Sequence, residues 1–350
     1  MASINRAVAS PTNAASVSWT VSFSEDVTGV DASDFALFRA AGVAGGSIGL
    51  VTPAAGPASV YTVTATSGSG DGTLGLNLVD NDSVKDKAGN PLGGAGTTGS
   101  NNGSFTGQTY SIDKTGPANA PTITAGPTAG SSVASTSANF SFASAESGVA
   151  GFRCQLDAAA VAACTSPAAY SSLAQGGHLF AVWAVDSLGN AGPSATRSWT
   201  VDTVAPAAPS ITAKPSSPSN QTAPSFTFTG EAGASFLCKL DAASFAACVS
   251  PVSYTGLAAG SHSFQVEAKD ATGNVGAAAS YTWTVDLSAP SITVTFPNNG
   301  GTYSASGWNA GCSGSAAICG SATDPSGVAS GAVSILQISS GKYWNGSSFT

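Results

Sequence analysis

From Asp113 onward the chain carries eleven acidic residues, and eight of them recur in three kinds of place. One kind ends a strand-like run ahead of a proline-studded linker: "YSIDKTGPANAP", "WTVDTVAPAAP" and "WTVDLSAP" supply Asp113, Asp202 and Asp286. A second lies in a loop after the second strand of a unit, with Glu146 in "AESGV", Glu231 in "GEAGA" and Asp324 in "TDPSGV". The third lies in the loop before a unit's last strand, with Asp186 in "VDSLGN" and Asp270 in "KDATGN". Carboxylates held a few ångströms apart repel one another unless a cation joins them. Lys114 and Lys269 are near, but no joint has a consistent basic partner. A hard cation taking about 6 to 8 oxygen ligands suits such a set, with the carbonyls of Asn190 and Asn274 completing the shell, and calcium is the natural candidate. Asp and Asn beside Gly are also favoured turn formers that bond their own backbone, and spacing leaves both readings open. In the first unit, "EDVTGVDASDF" and "DNDSVKDKAGN" add Glu25, Asp31, Asp34, Asp82 and Asp86 as weaker candidates of the same kind.

The six cysteines form a second constellation. "FRCQLDAAAVAAC" and "FLCKLDAASFAAC" space Cys154 from Cys164, and Cys238 from Cys248, by ten residues around a turn. Folding the first hairpin about residue 159 sets Cys154 opposite Cys164, within the reach of a disulfide. A zinc site would need two more soft ligands, and a redox pair would normally be Cys-x-x-Cys. Cys312 and Cys319 in "GCSGSAAICG" make a third local pair. Closing a loop of about ten residues stabilises a small domain by about 2.5 to 3 kcal/mol. Three local pairs predict an oxidising, extracellular setting.

The elements that hold these residues come in repeats. Cys154, Cys164, His178, Asp186, Asn190 and Trp199 recur 84 residues later as Cys238, Cys248, His262, Asp270, Asn274 and Trp283. Four units follow: 1–116, of a different type; 117–205 and 206–289, the two disulfide-bearing repeats; and 290–350, shorter than its neighbours and expected to continue beyond this chain. Runs such as "SVSWTVSF", "SVYTVTAT", "ANFSFAS" and "HLFAVWAV" alternate apolar with small polar residues, and Pro and Gly punctuate them. That pattern predicts an all-β fold of tandem Ig-like antiparallel β-sandwiches, arranged as an extended array. In sandwich topology the last strand delivers its final residue to the bottom of one domain, while the second-to-third and sixth-to-seventh strand loops crown the next. The three kinds of acidic place therefore converge at each joint. Trp19, Trp199 and Trp283 alternate within strands and read as core, and His178 and His262 read as corner residues bonded to backbone.

Composition excludes several functions. The net charge is -8 with only 11 Lys plus Arg, scattered singly, so no basic stripe is available to track phosphates and nucleic acid is not an expected partner. No apolar run approaches the roughly 20 residues that span a bilayer, and membrane insertion of this segment is not expected. No Gly-x-Ser-x-Gly elbow, His-Glu-x-x-His, phosphate loop or paired catalytic carboxylates stand in a suitable setting, so no enzyme is expected. Trp308, Tyr343 and Trp344 offer aromatic faces that could stack on sugars, or could equally be core.

At "FSEDVTGVDASDF", "DKAGNPL", "DSLGN", "DATGN" and the Asp-x-x-Ala-Pro type of linker, nearly the whole chain resembles the bacterial Ig-like repeats of very large secreted adhesins and other surface proteins. The resemblance implies a non-catalytic stalk that sets the distance between an anchor and a binding head, with a surface or glycan ligand engaged by regions outside this chain. It also implies that the linker Asp and neighbouring loop acids bind calcium and straighten the array. The disulfide hairpins depart from the best-known arrays, which puts the need for calcium in doubt. The other reading is a glycan-binding or accessory spacer module of a secreted polysaccharide-active enzyme.

Overall fold

The computed structural model describes residues 3–54, 56–94, 103–298, 301, 318–333, 336–337 and 342–343. It divides into two compact units, Met1–Asp202 and Thr203–Thr350. Apart from one short 3-10 turn at Ala32–Asp34, every regular element among the described residues is a strand. Alternation is the reason: along β2 (Ser16–Thr28), Val17, Trp19, Val21 and Phe23 are buried and the residues between them are more accessible, so one face of the strand is paid in apolar contact.

The first unit contains two sandwiches. In the first, β1 (Ser3–Arg6), β2, β5 (Ala58–Thr66) and β4 (Ile48–Thr52) form one sheet in the order β1-β2-β5-β4, with β7 (Lys85–Asp86) on β2. The facing sheet is β3 (Phe35–Ala40), β6 (Gly72–Leu78) and β8 (Phe105–Ile112). Between them Trp19 meets Tyr110 edge-on at 5.2 Å, and its indole N–H donates to the Gln108 carbonyl at 2.8 Å.

The second sandwich pairs β9 (Thr122–Ala125), β11 (Ala138–Ala143) and β14 (Ala168–Tyr170) in one sheet. Its other sheet runs β10 (Ser132–Val133), β16 (Ala191–Val201), β15 (Gly176–Val185), β12 (Gly151–Leu156) and β13 (Ala162–Cys164). Phe140 stacks on Phe180 across the core at 4.1 Å, and Trp199 closes one side.

The second unit repeats this plan. β17 (Ser210–Ala213), β18 (Ser225–Thr229) and β21 (Val252–Ser253) face β20 (Ala246–Cys248), β19 (Ser235–Leu240), β22 (Gly260–Lys269) and β23 (Ala279–Val285). Phe226 stacks on Phe264 at 4.1 Å beside the buried Trp283. Beyond it β24 (Ser291–Phe296) pairs antiparallel with β25 (Cys319–Thr323).

Two disulfides form, Cys154–Cys164 and Cys238–Cys248, with Cα atoms 5.8 and 5.7 Å apart. The register differs from the expected one. Phe152, not Cys154, lies opposite Cys164, and Cys154 lies opposite Ala162, so the hairpin folds about Ala158 and each disulfide runs diagonally. The turn closes early because the Ala159 N–H donates to the Leu156 carbonyl at 3.0 Å, with Asp157 in the left-handed region at φ 52°. The third expected pair includes Cys312, which lies outside the described residues.

Candidate functional site at the domain joints

The first joint lies within the first unit and brings Asp113, Glu146 and Asp186 to the same end of the second sandwich, each occupied by its own backbone donors. Asp186 Oδ1 accepts the N–H groups of Leu188 and Asn190 at 2.9 and 2.8 Å, and its Oδ2 accepts the Asn190 amide at 2.8 Å. Glu146 takes the Ala118 N–H on Oε1 and the Asn119 N–H on Oε2, both at 2.8 Å. These donors hold the Glu146 carboxyl below its usual range, the Ala118 N–H most strongly. Asp113 Oδ1 accepts the Thr115 N–H at 3.3 Å. The acids therefore organise turns and the linker, as Asx-type residues do.

Asn190 links the two sandwiches. Its amide donates to the Asp113 carbonyl at 3.0 Å, and its Oδ1 accepts from Asn13 at 3.0 Å, while Asn13 also donates to the Leu188 carbonyl at 2.9 Å. Gly192, two residues on, backs onto the linker: a Cβ there would lie 2.1 Å from the Pro117 carbonyl oxygen.

In the second unit the same lock recurs. Asp270 Oδ1 accepts the N–H groups of Gly273 and Asn274 at 2.7 and 2.8 Å, and the Asn274 amide reaches the Val204 carbonyl at 3.4 Å. A Cβ on Gly276 would lie 2.1 Å from the Pro206 carbonyl oxygen. Glu231 is exposed, and its carbonyl accepts the Ala234 N–H. Asp202, the last residue of the first unit, donates its N–H to the Val133 carbonyl at 2.8 Å and accepts the Gln175 amide on Oδ1 at 3.1 Å.

The third joint, inside the second unit, is different. Asp286, Asp324, Ser288, Ser326, Ser219 and Asn220 line one open cleft of about 220 Å³. Asp286 accepts both the N–H and the hydroxyl of Ser288, and Asp324 Oδ1 accepts the N–H and the hydroxyl of Ser326 at 2.9 and 2.6 Å. The Ser288 hydroxyl, then that of Ser326, holds the Asp286 carboxyl below its usual range. The Oδ2 atom of Asp324 is buried with no hydrogen-bond partner. An unpartnered carboxylate oxygen next to a second carboxylate is the donor chemistry that a hard cation satisfies. Among the described residues, no three His, Cys, Asp or Glu side chains gather as a metal-holding group.

In the first sandwich, Asp34 is fully buried, with Oδ2 on the Asp31 N–H at 2.8 Å and Oδ1 on the Ser83 hydroxyl, and Asp31 caps the 3-10 turn. Asp86 binds the Asn90 N–H and amide, both at 2.8 Å, repeating the Asp186 arrangement. Glu25 and Asp86 line a further cleft of about 200 Å³, and Asp82 lies in the adjoining turn in the left-handed region at φ 65°. The aromatic candidates Trp308 and Trp344 lie outside the described residues, and Tyr343 falls in the strand Lys342–Tyr343. Trp19, Trp199 and Trp283 are buried, whereas Trp183 is half-buried.

Sequence reading passed over Asn13, Gly192, Gly276, Asp157 and Asp241. Two signals could have found four of them: Asp157 and Gly192 recur at the same 84-residue offset as Asp241 and Gly276.

The fold and joints define an all-β protein of tandem Ig-like β-sandwiches. Compared with protein-family models and with curated proteins, the sequence matches none. Among solved structures, the chain is similar to the fibronectin(III)-like modules of Clostridium thermocellum CbhA, at 19% identity over 47% of this chain and 93% of that one, with a TM-score of 0.31. It is also similar to the FN1–FN3 domains of chicken CNTN1, at 9% identity over 81% of this chain and 98% of that one, with a TM-score of 0.28. No helix among the described residues is long and apolar enough to cross a membrane.

Proposed function

We propose that this chain is a non-catalytic spacer in a secreted or surface protein of the adhesin type, holding a binding head away from its anchor. The observation that carries the reading is the repeated lock between a domain's last loop and its own entering linker: Asn190 and Gly192 on Asp113 and Pro117, and Asn274 and Gly276 on Val204 and Pro206. A linker bonded to the domain that follows it has lost much of the freedom of a flexible chain, which is what a distance-setting segment requires. The two disulfides support an oxidising location.

Calcium enters this reading at the third joint, where Asp286 and Asp324 with the Ser219 and Asn220 segment would hold it. Bound there, it would neutralise two adjacent carboxylates and give Asp324 Oδ2 a partner. The test is small-angle scattering and thermal melting of the intact chain in calcium and in chelator. The expected result is a maximum dimension near the sum of the domains end to end in both conditions, with a calcium-dependent rise in melting that Asp324→Asn abolishes. A compact, collapsed particle would overturn the spacer reading, and unchanged melting would remove calcium from it.

A further inference from the structure

His178 and His262, the only two histidines in the protein, sit near the start of β15 and β22 in the same surroundings. Nδ1 of His178 lies 2.8 Å from Asp157 Oδ2, and its Nε2 lies 2.9 Å from the Ala174 carbonyl oxygen. For His262 the distances are 2.8 Å to Asp241 Oδ2 and 3.0 Å to the Ala258 carbonyl oxygen. A carbonyl oxygen and an ionised carboxylate only accept. A neutral imidazole has one N–H and one lone pair, so it satisfies one of these partners and turns the lone pair on the other, whereas imidazolium donates to both. The histidine side chains are 8% and 13% exposed and those of their Asp partners 41%, so water reaches the carboxylates far more readily than the rings.

We propose that His178–Asp157 and His262–Asp241 are two copies of a pH-sensitive latch, closed when the imidazole is protonated and slackened when it is not. The proposal depends on neither the spacer reading nor calcium. The latch ties together three parts of each sandwich. Asp157 occupies the turn of the disulfide hairpin, and its Oδ1 accepts the Leu179 N–H at 2.8 Å, so the turn is docked on β15. Ala174 belongs to the segment entering β15, and the ring stacks on Trp199 of β16 at 5.3 Å. In the second sandwich Gln175, next to Ala174, donates to Asp202 Oδ1, so the latch also adjoins the residue that follows β16. The third sandwich has Ala259 at that position and carries the latch without this extension.

The groups facing each ring are few. Around His178 the hairpin turn contributes Asp157, the entering segment a carbonyl, and β16 the uncharged Trp199; the nearest cation on β16, Arg197, is bonded to the Pro127 and Ile123 carbonyls. Around His262 they are Asp241, the Ala258 carbonyl and Trp283, with Tyr281 on the same strand bonded to the Pro215 carbonyl. The carbonyl first, then the carboxylate, raise both histidines above their ordinary value of 6.5, against the opposing effect of burial. A raised folded-state value means the stabilisation is full below about pH 6.5 and is lost as the pH rises through the folded value.

The experiment is a nitrogen-15 NMR titration of the two rings in the intact chain, with melting followed from about pH 6 to about pH 8.5. The expected result is two midpoints above 6.5, both ring nitrogens protonated on the acid side, and a melting temperature that falls across the same range. Asp157→Asn and Asp241→Asn, which keep an acceptor and remove the charge, should each lower the midpoint of their own histidine alone. Midpoints at or below 6.5, or one ring nitrogen unprotonated throughout, would overturn the latch even if every variant failed to fold.

Discussion

Gly276 stands so close to Pro206 that a Cβ on it would come within 2.1 Å of the proline's carbonyl oxygen, and Gly192 stands in the same relation to Pro117. In both repeats this glycine follows the Asp-x-x-Gly-Asn loop by two residues, and the space it leaves is filled by the incoming linker. The requirement is one of room: both contacts are with backbone, which cannot swing aside as a side chain would.

Gly276→Ala is therefore expected to push the linker off the loop, at a cost of about 1–3 kcal/mol in the third sandwich, the range for overfilling a packed site. Urea unfolding followed by Trp283 fluorescence would measure it. Amide exchange at Val204–Ala207 should rise in the same variant; a change below about 0.5 kcal/mol with unchanged exchange would mean the linker is not held there.

Acid should loosen the first joint before the cores. Glu146 is held below 4.5 by the Ala118 and Asn119 N–H groups, so its contribution is present above that pH and lost as the pH falls through the lower folded value. Exchange at Ala118 and Asn119, compared at about pH 5 and about pH 3 after correction for intrinsic rates, should show protection lost on acidification. Glu146→Gln is expected to show little protection at either pH.

Removing the Cys238–Cys248 disulfide as a double Ser variant should cost the third sandwich about 2.5 to 3 kcal/mol, the entropy of freeing a loop of about ten residues. The first sandwich, which contains no cysteine, should melt unchanged. Calorimetry of the intact chain with and without reductant would separate the two, and equal shifts in every transition would contradict a local role.

Features encoded over short stretches could be read directly. Strand alternation placed Trp19, Trp199 and Trp283 in cores because side chains on a strand must choose one face or the other, and a ten-residue separation confined Cys154 to a partner within its own hairpin. Even there the register escaped by two residues, since it depends on how the Leu156–Ala159 turn closes and on Asp157 being drawn to Leu179 and His178 across the sheet. The acids divide in the same way. Their recurrence at the joints was written in the sequence, along with their turn-forming neighbours. Only the tertiary structure decided that Glu146 spends both oxygens on the N–H groups of Ala118 and Asn119, 28 and 27 residues away in the chain, while Asp324 keeps one buried oxygen without a partner. A carboxylate's partner is set by which donors the fold brings within about 3 Å, and donors contributed by residues distant in the chain leave no local pattern to read.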